Sequence, residues 1–374
     1  MSVVAEALAA AFNPQLAAWL ASPFAIEAEG HLIRTLGTRF GLPADGVDGT
    51  FTSGGAEANH TAVLTALTRA FPEVGGGPAE RRRPAGPLPL RGRPPVPLEA
   101  ARATGLGMEA VRSVPVDERL RIDVDSLRAA IARDRADGLA PFMVVATAGT
   151  TSAGAIDPLA AVAEVAAAED LWLHVDAAWG GVGALIPELR PGFAGIERAD
   201  SITFDPHKLL SVPFGAGLFL TRHATVLDAT FHVSTSYVPA SGKLVDPFTH
   251  SLQWSRRFIG LKVLLALAVA GWDGYADVLR HHLAMGDLHR ERLRETGWQV
   301  MNDTPLPLVC FVDTAGADPD AIVDAVNATG RAQIFAATLP PDRRVTRAAI
   351  TNSRTNPEDI GALIEALDDA RRTV

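Results

Sequence analysis

A series of short apolar runs separated by helical patterns constrains this chain more than any other feature. PFMVVATAGTT (141–151), LWLHVDAAWGG (171–181), SITFDPHK (201–208) and GAGLFLTR (215–222) each read as a buried strand. Residues 157–169 form an Ala-rich helical pattern between the first two. Strands that alternate with helices bury both faces of their sheet, which gives α/β architecture with a mostly parallel sheet and helices on both faces. Residues 1–40 read as two helices broken at Ser22-Pro23, and Thr52 to Ala70 as a glycine turn followed by a helix. After Trp272 the texture changes to a long charged helix (281–297), short strands such as PLVCFVD (307–313) and a terminal helix (356–372). The expected division is a helical segment over 1–40, a large domain over 41–271 and a small C-terminal α+β domain over 272–374.

The net charge of -9 argues against a nucleic-acid or anionic-membrane surface. A single cysteine, Cys310, allows no internal disulfide and no thiolate metal cluster, and suits a reducing cytoplasm. The longest apolar stretch, Val263 to Ala270, falls far short of the roughly 20 residues that span a bilayer. One stretch breaks the pattern. Between Pro72 and Pro97, eight prolines, five glycines and five arginines leave no periodicity, so 72–97 reads as an irregular surface loop.

Chemistry gathers at three places. Lys208 ends Asp-Pro-His-Lys after a buried strand, where a lysine is costly unless neutral or covalently used. Asp176 closes another apolar strand, at the end where open α/β sheets bind ligands. A lysine and an aspartate so placed suit pyridoxal 5'-phosphate (PLP): the amine forms a Schiff base, and the carboxylate keeps the pyridine nitrogen protonated. Thirdly, FTSGGAEAN (51–59) opens a helix at Gly54, Gly55 and Ala56, whose N–H groups suit a phosphate.

With these motifs in this order, the chain resembles the group II PLP-dependent decarboxylases, which act on aromatic amino acids, histidine, glutamate or diaminobutyrate. TSGGAEAN, VVATAGTTSAGAID, LWLHVDAAWGG, ADSITFDPHKLL, HSLQWSRRFIGLKV and RAAITNSRTNPEDI carry the likeness. It implies a fold type I PLP enzyme, homodimeric, with a shared active site. Position by position, it makes Lys208 the Schiff-base lysine and Asp176 the partner of the pyridine nitrogen. Thr151 contacts the cofactor, Ala178 packs on its ring, and Asp205 lies near its phosphate. His207 is either a phosphate ligand or a structural histidine. Tyr237, in a polar loop, matches the tyrosine that protonates the substrate carbon after carbon dioxide leaves.

The sequence also departs from the family. Ala56 replaces a Ser or Thr, and Asp205 stands where Asn is common. The family's ring-stacking histidine would fall at or near Pro94, where this chain has none. The 72–97 run is either true divergence or a stretch read out of frame, and the chain starts after a helical segment that in the family helps the dimer form. Three readings follow: amino-acid decarboxylation, another PLP reaction such as carbon–carbon lysis or transamination, or a PLP-binding protein with impaired activity. Arg256 and Arg257 could meet a phosphate or substrate carboxylate, or form structural ion pairs. His281, His282 and His289 read as a solvated helix face. Trp19, Phe24 and Ile26 offer apolar side chains for a substrate pocket.

Overall fold

The computed structural model describes residues 1–72, 88–91, 95–233 and 245–374. The chain forms two compact units, Met1–Pro115 with Ile122–Ala148 and Asp157–Gly271, and Val116–Arg121 with Gly149–Ile156 and Trp272–Val374.

The first unit carries a seven-stranded sheet of β1 (Asp48–Thr52), β2 (Leu88–Arg91), β3 (Val111–Val114), β4 (Met143–Thr147), β5 (Trp172–Asp176), β6 (Ser201–Phe204) and β7 (Gly217–Thr221), in the order β1-β7-β6-β5-β4-β2-β3. From β6 to β3 every pairing is parallel, while β7 runs antiparallel to both β6 and β1. Two reversals restore the direction, so β1 points the same way as β4, β5 and β6. The ends of β1, β5 and β6 therefore share one sheet edge, the carboxyl edge where such folds bind ligands.

Helices α1 (Ser2–Phe12), α2 (Pro23–Phe40), α3 (Gly55–Ala70), α4 (Pro95–Ala103), α5 (Val124–Ala136), α6 (Leu159–Ala168) and α7 (Val226–Phe231) belong to this unit. Pro23 starts α2, where its missing N–H costs nothing. Helix α3 packs along β5, β6 and β7, and α6 along β4 and β5. Phe40, Phe51, Phe204 and Phe219 are fully buried, each contributing roughly 1.5–3 kcal/mol over an exposed position. The Pro/Arg/Gly run is not irregular throughout: β2 lies inside it, between β3 and β4, and α4 begins at Pro95. Parallel neighbours on both sides supply the pairing that its composition does not announce.

Helix α8 (Gly260–Glu295) is broken at Gly271, whose φ of 65° favours glycine and which ends the first unit. The second unit holds the antiparallel sheet β10-β11-β9-β8, made of β8 (Trp298–Val300), β9 (Leu308–Asp313), β10 (Phe335–Leu339) and β11 (Arg343–Ala349). Helices α9 (Pro319–Ala328) and α10 (Pro357–Thr373) complete it, α10 opening on a capping box between Asn356 and Asp359. His282 and His289 are fully buried there, which corrects the solvated-face reading. They fall on the stripe of Leu279, Met285 and Leu293 that faces the core, and burial holds His289 neutral, its pKa pushed down to about 3. Among the described residues no helix is long and apolar enough to cross a membrane, and no cluster could hold a metal ion.

Candidate active site

Asp176, the last residue of β5, is held from two sides. Its Oδ1 accepts the Ala178 N–H at 3.1 Å and its Oδ2 accepts Asn59 Nδ2 from α3 at 3.0 Å. Burial pushes its pKa up; the Ala178 and Asn59 hydrogen bonds and the charge of Lys208 pull it back. The charge of Lys208 thus reaches Asp176 across the sheet edge.

Lys208 follows β6 through a short turn, and its Nζ lies 2.9 Å from Asp205 Oδ2. The same oxygen accepts the N–H of Gly55, the first residue of α3, at 3.1 Å. Asp205 is buried, and its Oδ1 has no hydrogen-bond partner among the described residues. A carboxylate oxygen therefore already occupies an anion position at the start of α3, beside a cationic amine. Glycine fits the approach at position 55 without displacing a neighbour, since a Cβ there would stand 2.9 Å from Asp205 Oδ2 and 3.1 Å from the Ala178 Cβ. Ala56 is exposed in the first turn of α3 and brings no side-chain donor. Glu57 secures the loop, accepting Ser53 N–H at 2.9 Å and Gln253 Nε2 at 2.7 Å.

His207 sits in the same turn. Its Nδ1 lies 2.7 Å from the Ala216 carbonyl, its ring lies 4.6 Å from that of Phe214 with the planes tilted by 59°, and its Nε2 is 3.9 Å from Asp205 Oδ2, too far for a hydrogen bond. Lys208, Asp176, Ala178, Asp205, His207, Gly54 and Gly55 are brought to one edge. Thr151 lies in the second unit, exposed, where its carbonyl accepts Arg347 Nε at 2.7 Å. Tyr237 and Pro94 lie outside the described residues.

The arginine alternative resolves into ion pairs. Arg256 pairs with Glu29, both side chains being buried, and Arg257 pairs with Glu6, which also meets Lys262 Nζ at 2.6 Å. Of the apolar side chains near the N-terminus, Ile26 is packed with Leu16 and Phe258, and the Trp19 indole donates to Glu27. Phe24 lines an apolar cavity of about 360 Å³ with Leu8, Phe12 and Phe258. A larger cavity, about 710 Å³, opens at the opposite strand ends beside Trp172, Asp200 and His223, away from Lys208.

Residues 1–313 match the model of the pyridoxal-dependent decarboxylase conserved domain. The chain belongs to this family. It is 31% identical over 383 residues to the L-2,4-diaminobutyrate decarboxylase of Rhizobium meliloti (strain 1021), covering 99% of this chain and 75% of that protein. It is also 31% identical over 375 residues to the aromatic-L-amino-acid decarboxylase of Bacillus atrophaeus, covering 96% and 76%. Among solved structures, Oryza sativa TDC with PLP and tryptamine superposes with a TM-score of 0.93 at 26% identity, over 100% of this chain and 81% of that one. The α/β fold is thus that of the PLP decarboxylases, and the decarboxylase described here uses PLP to decarboxylate an amino acid.

The site contains residues that the motifs did not single out. Asn59, His174, Ser201 and Thr203 form a buried polar cluster beneath Asp176. Their signal is the period-two placement of Trp172, His174 and Asp176 on β5, and of Ser201 and Thr203 on β6.

Proposed function

We propose that this decarboxylase converts an L-amino acid to its amine with Lys208 carrying the cofactor and Asp176 facing the ring nitrogen. The observation that supports this best is the meeting of Lys208 Nζ, the Gly55 N–H and a buried carboxylate at one point, with Asp176 near enough to feel the lysine's charge. These residues fit PLP. An amine and an N–H at a helix start already hold an anionic oxygen, and a second carboxylate stands at the neighbouring strand end. When bound, PLP supplies an electron sink for the pair left on the α-carbon as carbon dioxide departs.

The chain's own groups do the rest. Gly54, Gly55 and Ala56 present backbone N–H groups to the phosphate, with His207 beside them. Lys208 would hold the cofactor through its side-chain amine, the place that the amine of the substrate would take over. Asp176 keeps a proton on the ring nitrogen, which only a charged carboxylate does well. Ala178 would pack against the ring. Tyr237 Oη then returns a proton to the α-carbon. The working form is a homodimer in the cytoplasm with a shared active site; the exposed Phe12, Phe24 and Leu20 on the first unit support a partner surface, and the lone Cys310 supports the compartment.

Borohydride reduction of the PLP-loaded protein should tag Lys208 alone, and Lys208→Ala should lose both the tag and the visible band. A tag on another lysine overturns the assignment. An amine-release screen across the amino acids then names the substrate, since amine without keto acid separates decarboxylation from transamination.

A further inference from the structure

Beneath Asp176 lies a continuous line of polar side chains. Trp172 Nε1 reaches Ser201 Oγ at 2.8 Å, and Ser201 Oγ reaches His174 Nδ1 at 2.8 Å. His174 Nε2 reaches Asn59 Oδ1 at 2.7 Å, Thr203 Oγ reaches the same oxygen at 3.2 Å, and Asn59 Nδ2 reaches Asp176 Oδ2 at 3.0 Å. Strand register explains the line. His174 pairs with Ser201 and Asp176 with Thr203 across β5 and β6, so these side chains share one face, and α3 brings Asn59 down onto it. His174, Ser201, Thr203 and Asn59 are all buried, which leaves no water to satisfy a misdirected proton.

The two ends fix the direction. An indole N–H can only donate and an ionised carboxylate can only accept. Ser201 Oγ accepts the indole N–H and donates its own O–H to His174 Nδ1. His174 then carries hydrogen on Nε2 and donates to Asn59 Oδ1, and the Asn59 amide nitrogen is left to face Asp176. Reversing the amide would set two oxygens 3.0 Å apart, with the histidine lone pair facing an N–H that had been turned from Asp176.

We propose that Ser201, His174 and Asn59 are positioning residues that form a one-way hydrogen-bond chain from Trp172, aiming a donor at Asp176 Oδ2 so that the carboxylate stays ionised and oriented toward the ring nitrogen. This rests on the reading of Asp176 as that nitrogen's partner. Burial alone raises the Asp176 pKa and pushes that of His174 down to about 3, so the histidine acts as a neutral relay of direction and the aspartate depends on its donors.

Two measurements test it. In the unmodified full chain with its histidines 15N-labelled, His174 should show the Nε2–H tautomer with or without PLP; the Nδ1–H tautomer overturns the chain's direction. Secondly, the ring nitrogen of bound 15N-labelled PLP should resonate as protonated in the parent. Ser201→Ala and His174→Phe should move its protonation equilibrium about tenfold toward the free base, the scale of one lost hydrogen bond to a charged acceptor. His174→Gln, which can accept from Ser201 and donate to Asn59, should restore the parent signal. An unmoved signal in Ser201→Ala and His174→Phe overturns the proposal. If Asp176→Asn also leaves the signal unmoved, it is the assignment of Asp176 that fails, and the tautomer still reports on the chain. A His174→Phe protein that does not fold leaves Ser201→Ala and the tautomer to decide.

Discussion

Asp205→Asn should tighten PLP binding, because Asp205 Oδ2 holds the Gly55 N–H that the proposed phosphate site needs, and the Lys208 Nζ proposed to bond the aldehyde. The buried carboxylate brings a negative charge to the place where a dianion must sit. Two unit charges about 4 Å apart interact by roughly 4 kcal/mol at an effective dielectric of about 20. Lys208 offsets part of this, but its side chain is 32% exposed and its charge is partly screened. The net relief expected from the neutral amide is roughly 1.5–4 kcal/mol, or about tenfold to a thousandfold in Kd. The assay is titration of the visible band with PLP and, in parallel, with pyridoxal, which lacks the phosphate. PLP should bind the variant at least tenfold more tightly while pyridoxal changes little. Equal PLP affinity in parent and variant refutes the reasoning. Equal tightening by both aldehydes places the effect at Lys208 instead of at the phosphate.

Further outcomes follow from the other groups. Asp176→Asn should keep PLP but lose turnover by several kcal/mol of transition-state stabilisation, read as a fall in kcat with cofactor content unchanged. Tyr237→Phe should still bind substrate but release amine slowly and shift toward aldehyde and ammonia under oxygen; amine release at the parent rate removes Tyr237 from the mechanism. His289, pushed from 6.5 to about 3 by burial, favours the folded state above pH 6.5 and loses that contribution as pH falls. Urea unfolding should therefore show the parent losing roughly 2 kcal/mol more than His289→Leu between about pH 7 and pH 5.

How much of this could be read in advance depended on whether a residue's role was set along the chain or across it. The strands β4, β5, β6 and β7 were legible because burial on both faces leaves a local apolar signature. The placement of Lys208, Asp176 and Gly55 at strand ends and a helix start was legible because these are local events. Asn59 was not, since its partners His174 and Asp176 are 115 and 117 residues away and meet it only once α3 docks on the sheet. The same is true of Arg256, whose Glu29 partner comes from α2. His282 and His289 were misread for a different reason: the charged residues around them outweighed their position on the stripe of Leu279 and Leu293, which was visible at helical spacing. Composition also hid β2, because its pairing comes entirely from β3 and β4.

The departures of this chain fall unevenly over the site. At the ring-nitrogen end Asp176 has a donor on each oxygen, and the hydrogen-bond line beneath it is complete from Trp172 to Asn59. At the proposed phosphate end Ala56 offers no hydroxyl, and Asp205 keeps one oxygen without a hydrogen-bond partner among the described residues while occupying the donors of Gly55 and Lys208. On the proposed assignment, the electron-sink function depends on the first end and cofactor retention on the second. The departures at the phosphate end should therefore weaken PLP retention. Activity should rise steeply with added PLP to a plateau, and Asp205→Asn should move the half-saturating PLP concentration without moving that plateau.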